Sequence, residues 1–351
     1  MSNDKHYKHH HGSKSSHLPH DCLEVFHSYR EFKNAPPITF AIKGFLQNNG
    51  ATLIGGLSGH GKTFVMLSMV KALLSGRSDK KLWGYFDVAE TASRVLYLIP
   101  ESAITPFKHR LKLFHLYKYL KTDRLLVHTL SKGPVPNLSD KHILSAAKHA
   151  HVFLDTAVRF GEGNENEARD NQEGLATDIF NLLRAGARTV VGAHHSPKSF
   201  AKEDYMTLEN VLRGSGDIGG MPATAWGIKQ LDRDRNILHI QNIKPRDFQP
   251  CGPFQLIGGP YIDDEGNFRM HKKPGECGSL KEEQQRERNR GGAPAQARDQ
   301  KARAKEFVRE SDQDGPKATA KVLAQRLKEE TGIAVEESTI RKYRREIVKA
   351  A

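Results

Sequence analysis

The stretch that decides the fold is Leu53-Ile54-Gly55-Gly56-Leu57-Ser58-Gly59-His60-Gly61-Lys62-Thr63, an apolar run that passes into a glycine-rich turn. From Gly56 it satisfies the pattern G-x-x-x-x-G-K-S/T, in which backbone N–H groups surround a phosphate chain and a lysine neutralises its charge. Apolar residues then recur at helical spacing from Phe64 to Leu74, so a bound phosphate would also meet a helix N-terminus. The pattern predicts a strand, a phosphate-binding loop and a helix.

The chemistry of this loop assigns roles in binding ATP and Mg²⁺. Lys62 is predicted to contact the β- and γ-phosphates during catalysis, and Thr63 is predicted to ligate Mg²⁺. The other loop residues predicted to contact nucleotide, through backbone amides or as neighbours, are Gly56, Gly59, His60, Gly61 and Phe64. The alternative is a glycine turn with an incidental lysine, which the strand before it and the helix after it disfavour.

Charge and cysteine content narrow the classes of partner and compartment. The 351 residues carry a formal net charge of +13 with a pI near 9.5, which favours an anionic partner such as nucleic acid. Three cysteines without ligand spacing argue against a disulfide framework or a zinc site and favour a reducing compartment. Because no apolar run approaches the length of a membrane span, we expect a soluble, cytoplasmic protein.

Two further apolar strands end in acidic residues. Residues 94–99 lead to Glu101, which we predict to polarise the attacking water, because ligands bind beyond the carboxyl ends of parallel strands. A surface glutamate that caps the next helix is the alternative. Residues 151–154 lead to Asp155, which beside a phosphate loop is predicted to hold Mg²⁺ through its water shell.

Polar residues at two other strand ends complete the candidate site. A strand from Thr189 ends at His194-His195, and we interpret His195 as a sensor of the γ-phosphate. A metal site is the alternative, but no Cys or His companions lie at ligand spacing. Residues 224–228 and 236–240 predict a hairpin whose second strand delivers Lys244 and Arg246, either as a solvated edge or as cations directed at charge.

Composition divides the chain into four regions. Residues 1–33 are predicted to be a disordered His/Lys-rich leader, residues 34–265 the nucleotide-binding domain, and residues 266–298 a charged linker. Residues 299–351 predict three short helices, as in a helix-turn-helix domain that binds DNA. The last helix carries an outer basic face made of Arg341, Lys342, Arg344, Arg345 and Lys349. A small helical bundle with a solvated basic face is the alternative.

With these residues assembled, the chain resembles the RecA-like P-loop ATPases, and most closely the hexameric replicative helicases of the RepA and DnaB type. Gly56 to Thr63 matches the Walker A motif, and residues 153–155 match Walker B. Glu101 stands where the family keeps its catalytic glutamate, and His195 stands at the place of its polar sensor. Residues 212–216 resemble the segment beside the second DNA loop of that family.

The resemblance implies an α/β fold with a mostly parallel central sheet flanked by helices, followed here by a small all-α domain. It also implies that Lys244 and Arg246 act as catalytic cations on the neighbouring subunit's γ-phosphate, in a homo-hexamer. Single-stranded DNA would pass through the ring, and duplex DNA would bind the C-terminal domain.

These inferences favour a Mg²⁺-dependent ATPase that unwinds DNA in the replication of a plasmid, phage or mobile element. One alternative is a non-motor initiator or regulator in which ATP switches DNA binding. A small-molecule or protein kinase fits less well, because Glu101 and the cation pair would have no task.

Overall fold

The structure, a computed structural model, describes residues 25–75, 81–161, 168–212, 219–259, 268–313, 318–331 and 333–350. The expectations for residues 1–24 and for the segment 213–216 lie outside the described residues. The chain divides into two compact units, Met1–Thr39 and Phe40–Ala351.

The first unit contains a short helix, α1 (Tyr29–Asn34), where a disordered leader was predicted. Its start is fixed by a capping box: the Ser28 hydroxyl accepts from the Glu31 amide, and the Glu31 carboxylate accepts from the Ser28 amide at 2.7 Å. The helix has six residues, and the leader as a whole remains a prediction. Overall composition hides such local signals, because one reciprocal pair of hydrogen bonds is enough to begin a helix turn.

The second unit is built around a large β-sheet. Its strands, in chain order, are β1 (Phe40–Ile42), β2 (Leu46–Gln47), β3 (Gly50–Gly56), β4 (Lys81–Leu82), β5 (Phe86–Asp87), β6 (Arg94–Ile99), β7 (Leu125–Thr129), β8 (Ala150–Leu154), β9 (Thr189–His195), β10 (Thr224–Asp232), β11 (Ile237–Pro245), β12 (Phe254–Gly258) and β13 (Phe268–Lys272). Nine of them form one sheet in the order β13, β12, β11, β10, β3, β9, β8, β6, β7. The strands from β10 to β7 run parallel, and β11 to β13 continue the sheet antiparallel. This agrees with the predicted mostly parallel sheet and with the predicted hairpin.

The phosphate-loop strand β3 lies inside this sheet, between β10 and β9. Every residue of β3 and β8 is buried, as expected for parallel strands covered on both faces. The carboxyl ends of β3, β6, β8 and β9 meet at one edge, because these strands run in the same direction. Lys62, Glu101, Asp155 and His195 follow or end these four strands, so the topology brings them together.

Helices cover both faces of the sheet. The helices that the structure describes in this unit are, in chain order, α2 (Lys62–Ser75), α3 (Ile104–Leu113), α4 (Lys141–Ala147), α5 (Ala168–Arg184), α6 (Leu208–Val211), α7 (Leu280–Gln313), α8 (Ala320–Thr331) and α9 (Glu337–Ala350). Leu67 and Val70 of α2 belong to one core cluster, and Ile179 and Leu182 of α5 belong to another. Among the helices that the structure describes, none combines the length and apolar character that crossing a bilayer requires.

The region predicted as a charged linker, 266–298, contains ordered structure instead. Strand β13 forms the edge of the sheet, and α7 begins at Leu280, which is buried against the second core cluster. Glu283 in the first turn of α7 is fully buried. A few buried contacts hold this part of the helix, and the polar composition of the segment does not reveal them. The predicted division into domains remains a prediction.

The last three helices share a small core. It is made of Ala304, Val308, Ala320, Leu323, Leu327, Ile340 and Tyr343. Arg344, which the sequence placed on the outer basic face, instead forms two hydrogen bonds to the Asp312 carboxylate at 2.7 and 2.6 Å and one to the Ala318 carbonyl. Arg341, Lys342 and Arg345 are exposed.

Candidate active site

A cavity of about 350 Å³ lies at the carboxyl edge of the parallel strands. It is lined by Ser58, Gly59, Gly61, Lys62, Thr63, Phe64, Ile99, Glu101, Ser102, Arg110, Asp155, Thr156 and His195. Eight predicted site residues are therefore brought together around one space. A larger cavity, of about 650 Å³, is lined by none of the predicted site residues. The smaller cavity is the candidate site because the chemistry lies there.

The loop between β3 and α2 is shaped by two glycines. Gly59 and Gly61 both have φ +80°, a left-handed conformation that costs other residues more than glycine. A Cβ at Gly59 would meet no atom within 4 Å, so the space beside the loop is open for phosphate oxygens. His60, between them, turns its ring away from the cavity, and its Nδ1 accepts a hydrogen bond from the Gln230 amide at 3.3 Å.

Lys62 is buried at the start of α2, with 7% of its surface exposed. Its Nζ donates to the carbonyls of Gly56 at 2.7 Å and Leu57 at 2.9 Å, both within its own loop. Burial lowers the pKa of Lys62 to about 8, although the nearby carboxylates of Asp155 and Glu101 act in the opposite direction. The lysine is thus a partly desolvated cation, whose charge a phosphate would stabilise.

Asp155 is the most deeply buried carboxylate of the cavity, with 4% exposed. Burial raises its pKa, against hydrogen bonds from Thr63 and Tyr97 and the charges of Lys62 and Arg110. The Tyr97 hydroxyl donates to Asp155 Oδ2 at 2.9 Å, and the Tyr97 ring stacks on Phe153. Among the described residues, the hydrogen-bond donors to the aspartate are hydroxyl groups, and no cation is bonded to it.

These donors suit Mg²⁺. The Thr63 hydroxyl and the Asp155 carboxylate are hard oxygen ligands, and they already lie within hydrogen-bond reach of each other. Within the residues that the structure describes, no group of three or more His, Cys, Asp and Glu side chains is arranged to hold a metal by itself. Thr63 and Asp155 would therefore share a Mg²⁺ with oxygens of the nucleotide and of water.

Glu101 lines the cavity and forms an ion pair with Arg159, whose Nε donates to Glu101 Oε1. Arg159 lies in a 3₁₀ helix, Ala157–Phe160, which directly follows Asp155 and Thr156. The sequence interpretation assigned Arg159 no role. The pair joins the ends of two neighbouring strands, β6 and β8, at the edge where the nucleotide would react.

His195 also lines the cavity, at the end of β9. The next residue, Ser196, donates its amide to the Gly56 carbonyl at 3.1 Å and its hydroxyl to the Val211 carbonyl at 2.5 Å. The end of β9 is thus bonded both to the end of β3 and to Val211, which precedes residues 213–218.

Four of the predicted residues do not line the cavity. Gly56 ends β3 just before the loop, and His60 lies in the loop with its ring bonded to the Gln230 backbone. Lys244 and Arg246 lie outside, where Lys244 Nζ donates to the carbonyls of Gly219 and Gly220, and Arg246 Nη2 donates to Gly220 at 2.9 Å. Within its own chain, neither cation lines the cavity that holds Lys62.

Sequence reasoning missed Tyr97 and Arg110. Arg110 projects from α3 into the cavity wall, with its guanidinium 5.9 Å from the centre of the Phe64 ring. Phe64 in turn stacks on Phe114. Glu101 and Arg110 both follow β6, Glu101 in the turn and Arg110 on the next helix. Their order in the chain was therefore a usable signal that Arg110 lies near Glu101.

A family model described as an AAA domain (AAA_25) matches residues 23–201. No curated protein matches the chain. Because the family match covers more than half of the 351 residues, the chain belongs to this family and is a P-loop ATPase. The matched region contains Lys62, Glu101, Asp155 and His195, and it ends before Lys244, Arg246 and the last three helices.

Proposed function

We propose that this AAA-domain ATPase is a RecA-like motor that hydrolyses ATP to move on DNA, as a ring helicase of the RepA and DnaB type. The observation that carries the hydrolytic part is the convergence of Lys62, Thr63, Glu101 and Asp155 on one cavity of about 350 Å³. These are the groups that phosphoryl transfer to water requires: a cation for the phosphates, a metal site and a group that activates water.

Each side chain has a distinct task. Lys62 exchanges its bonds to the loop carbonyls for the phosphate oxygens, and Thr63 and Asp155 hold Mg²⁺, which neutralises charge on the phosphates when bound. Glu101 accepts the proton of the attacking water. Arg110 adds positive charge on the same wall. The low polarity around Asp155 strengthens these electrostatic interactions.

The positions of Lys244 and Arg246 support a ring. Both cations lie outside the cavity of their own chain, where their bonds to main-chain carbonyls can be exchanged for other acceptors. We infer that they complete the cavity of an adjacent copy, as arginine fingers do in trans. Their carbonyl partners, Gly219 and Gly220, follow residues 213–218, the segment we propose to contact single-stranded DNA.

A bonded path supports coupling between nucleotide and DNA. Ser196 joins the Gly56 carbonyl beside Lys62 to the Val211 carbonyl near residues 213–218. When Lys62 releases the Gly56 carbonyl, the change would therefore act on Ser196 and, through its hydroxyl, on Val211. We propose His195 as the group that senses the γ-phosphate at this point.

The C-terminal helices favour a second candidate, a non-motor protein in which ATP switches DNA binding. Arg341, Lys342 and Arg345 form an exposed basic surface on α9, which we propose binds duplex DNA as a helix-turn-helix domain. In the motor, this domain tethers the ring to a site. In the switch, the domain itself performs the main function.

The deciding experiment is steady-state ATP hydrolysis with and without single-stranded DNA, with sedimentation in the same nucleotide states. The motor predicts strong DNA stimulation and a ring-sized species, and strand separation that depends on ATP. Slow, unstimulated hydrolysis with ATP-dependent retention on duplex DNA would favour the switch. Lys62→Ala should abolish turnover while the protein remains folded, and retained turnover would remove the phosphate-loop assignment.

A further inference from the structure

We propose that Arg159 is a positioning residue that holds the Glu101 carboxylate in place for water activation. The inference rests on the proposed hydrolysis at this site. It adds to that function a residue which no feature of the sequence pattern singled out. Its basis is the ion pair between Arg159 Nε and Glu101 Oε1 across two neighbouring strand ends.

Arg159 is presented by a rigid part of the fold. Its 3₁₀ helix follows the fully buried strand β8, and the flanking Ala157 and Phe160 are both buried in the core. The Arg159 amide also donates to the Thr156 carbonyl at 3.2 Å. The backbone of Arg159 is therefore fixed about one helical turn beyond Asp155, and the guanidinium extends from it.

Glu101 has less support of its own. Its backbone lies in the turn after β6, where the Ser102 amide donates to the Ile99 carbonyl at 3.2 Å. Within the described part of the chain, its carboxylate forms a hydrogen bond to Arg159 and to no other residue. Without that bond, the Glu101 side chain would lose the hydrogen bond that fixes its orientation.

The pair contributes little to folding, which points to a different role. The side chains of Arg159 and Glu101 are 53% and 38% exposed, and ion pairs of this kind contribute only about 0–1 kcal/mol to stability. Orientation has larger consequences, because displacing a reacting group by about 1 Å can cost about 100-fold in rate. A planar, always charged guanidinium is well suited to fixing a carboxylate.

The chemical step is a hydrolysis that leaves Glu101 as a transient proton carrier. The water oxygen forms a bond to the γ-phosphorus while the bond from that phosphorus to the bridging oxygen breaks, and the bond electrons leave with ADP. The water proton passes to Oε2 of Glu101, since Oε1 is engaged by Arg159. Glu101 then releases this proton to solvent.

The test is the steady-state kinetics of Arg159→Ala in the full chain, with ATP, Mg²⁺ and a single-stranded oligonucleotide. We expect kcat to fall about 10- to 100-fold while KM and the Kd of a fluorescent ATP analogue change by less than about twofold. Arg159→Lys should recover part of the loss. In a Glu101→Gln background, Arg159→Ala should have no further effect, because the group that it positions is already gone.

A matched control is Arg326→Ala, which removes a similarly exposed pair with Glu330 on α8. It should leave the hydrolysis rate unchanged. The inference is overturned if Arg159→Ala keeps or raises kcat, if it changes only KM, or if its effect multiplies that of Glu101→Gln. Should Arg159→Ala fail to fold, Arg159→Lys decides by the same criteria. If the wild-type protein shows no hydrolysis sensitive to Lys62→Ala, the proposed function fails and not the pairing alone.

Discussion

Asp155, which follows β8, and Glu283, in the first turn of α7, are two buried carboxylates whose surroundings differ in kind. Asp155 is 4% exposed and is bonded by the hydroxyls of Tyr97 and Thr63, and burial raises its pKa. Glu283 is fully buried against β12 and β13, where burial alone would also raise its pKa. There, bonds from Lys272 and from the Gly278 amide lower the pKa to about 2.

The difference separates a functional carboxylate from a structural one. The charge of Glu283 is neutralised within the chain by Lys272 and Arg286, and the Gln255 amide adds a hydrogen bond. Within the described residues, Asp155 is hydrogen-bonded by hydroxyl groups, and the nearby cations Lys62 and Arg110 act on it through their charge, so the fold supplies it with no directly bonded counter-charge. Two equally buried acids can thus be distinguished by whether the fold itself supplies the compensating charge.

The sharpest test of this comparison is Asp155→Asn. We expect turnover to fall by at least about 100-fold, because a neutral amide is a poorer ligand for Mg²⁺ and the metal supplies several kcal/mol of stabilisation. The thermal midpoint should stay the same or rise, since an uncompensated buried charge has been removed. Hydrolysis assays and calorimetry measure both effects, and a clear loss of stability would contradict the distinction.

The reciprocal test is Glu283→Gln. It should lower the free energy of unfolding by about 3 kcal/mol, because Lys272 and Arg286 lose their partner in a buried place. Hydrolysis measured on the folded protein should be unaffected. Denaturant unfolding reports the change, and Glu282→Gln, at the exposed neighbouring position, is the control. A loss of activity without a loss of stability would place Glu283 with the functional group instead.

Acid should also destabilise the β11–β13 flank. Burial lowers the pKa of His239 to about 4, so between pH 6.5 and 4 the unfolded chain binds a proton that the folded chain does not, and stability falls as the pH drops. The Glu283 contribution is present above about pH 4.5 and is lost towards pH 2. In unfolding titrations, Glu283→Gln should remove only the part of this loss that falls between about pH 4.5 and 2. That part is on the order of 2 kcal/mol.

The smallest effects concern the basic residues of α9. Arg344→Ala should destabilise the three-helix cluster by about 1–3 kcal/mol, because Asp312 and the Ala318 carbonyl lose their donor. Arg341→Ala should leave stability unchanged and weaken duplex DNA binding by a few fold, an effect that diminishes with salt. Unfolding curves and fluorescence anisotropy at fixed salt distinguish the two, and equal effects on DNA binding would remove the contrast.

The sequence predicted the parts of the site that depend on local pattern. The glycine loop identified Lys62 and Thr63, and the rule that parallel strands end at one edge placed Glu101, Asp155 and His195 beside them. These residues lie together because strand direction and burial are encoded in short apolar runs, whereas the roles assigned to them remain predictions. The same logic predicted the hairpin of β10 and β11.

What the sequence did not reveal are pairings between distant positions. Tyr97 bonds Asp155 and Arg159 bonds Glu101, each across 58 positions in the chain, and nothing in either local pattern specifies the partner. The direction of the Arg344 side chain could not be predicted for the same reason, because it depends on Asp312, 32 positions away in the chain. The α7 start was missed because a single fully buried glutamate is indistinguishable in composition from a solvated one.

The bonds of Lys62 to the Gly56 and Leu57 carbonyls give the loop a chemical threshold. A ligand that binds Lys62 must replace both carbonyl acceptors with hydrogen bonds that are at least as strong. Neutral sugar or base groups offer no advantage over a carbonyl, whereas charged phosphate oxygens form hydrogen bonds about twice as strong as neutral ones. The loop thus selects ligands first by their charge and then by their shape. A nucleoside without phosphates carries no charged oxygen that could replace the carbonyls as the partners of Lys62.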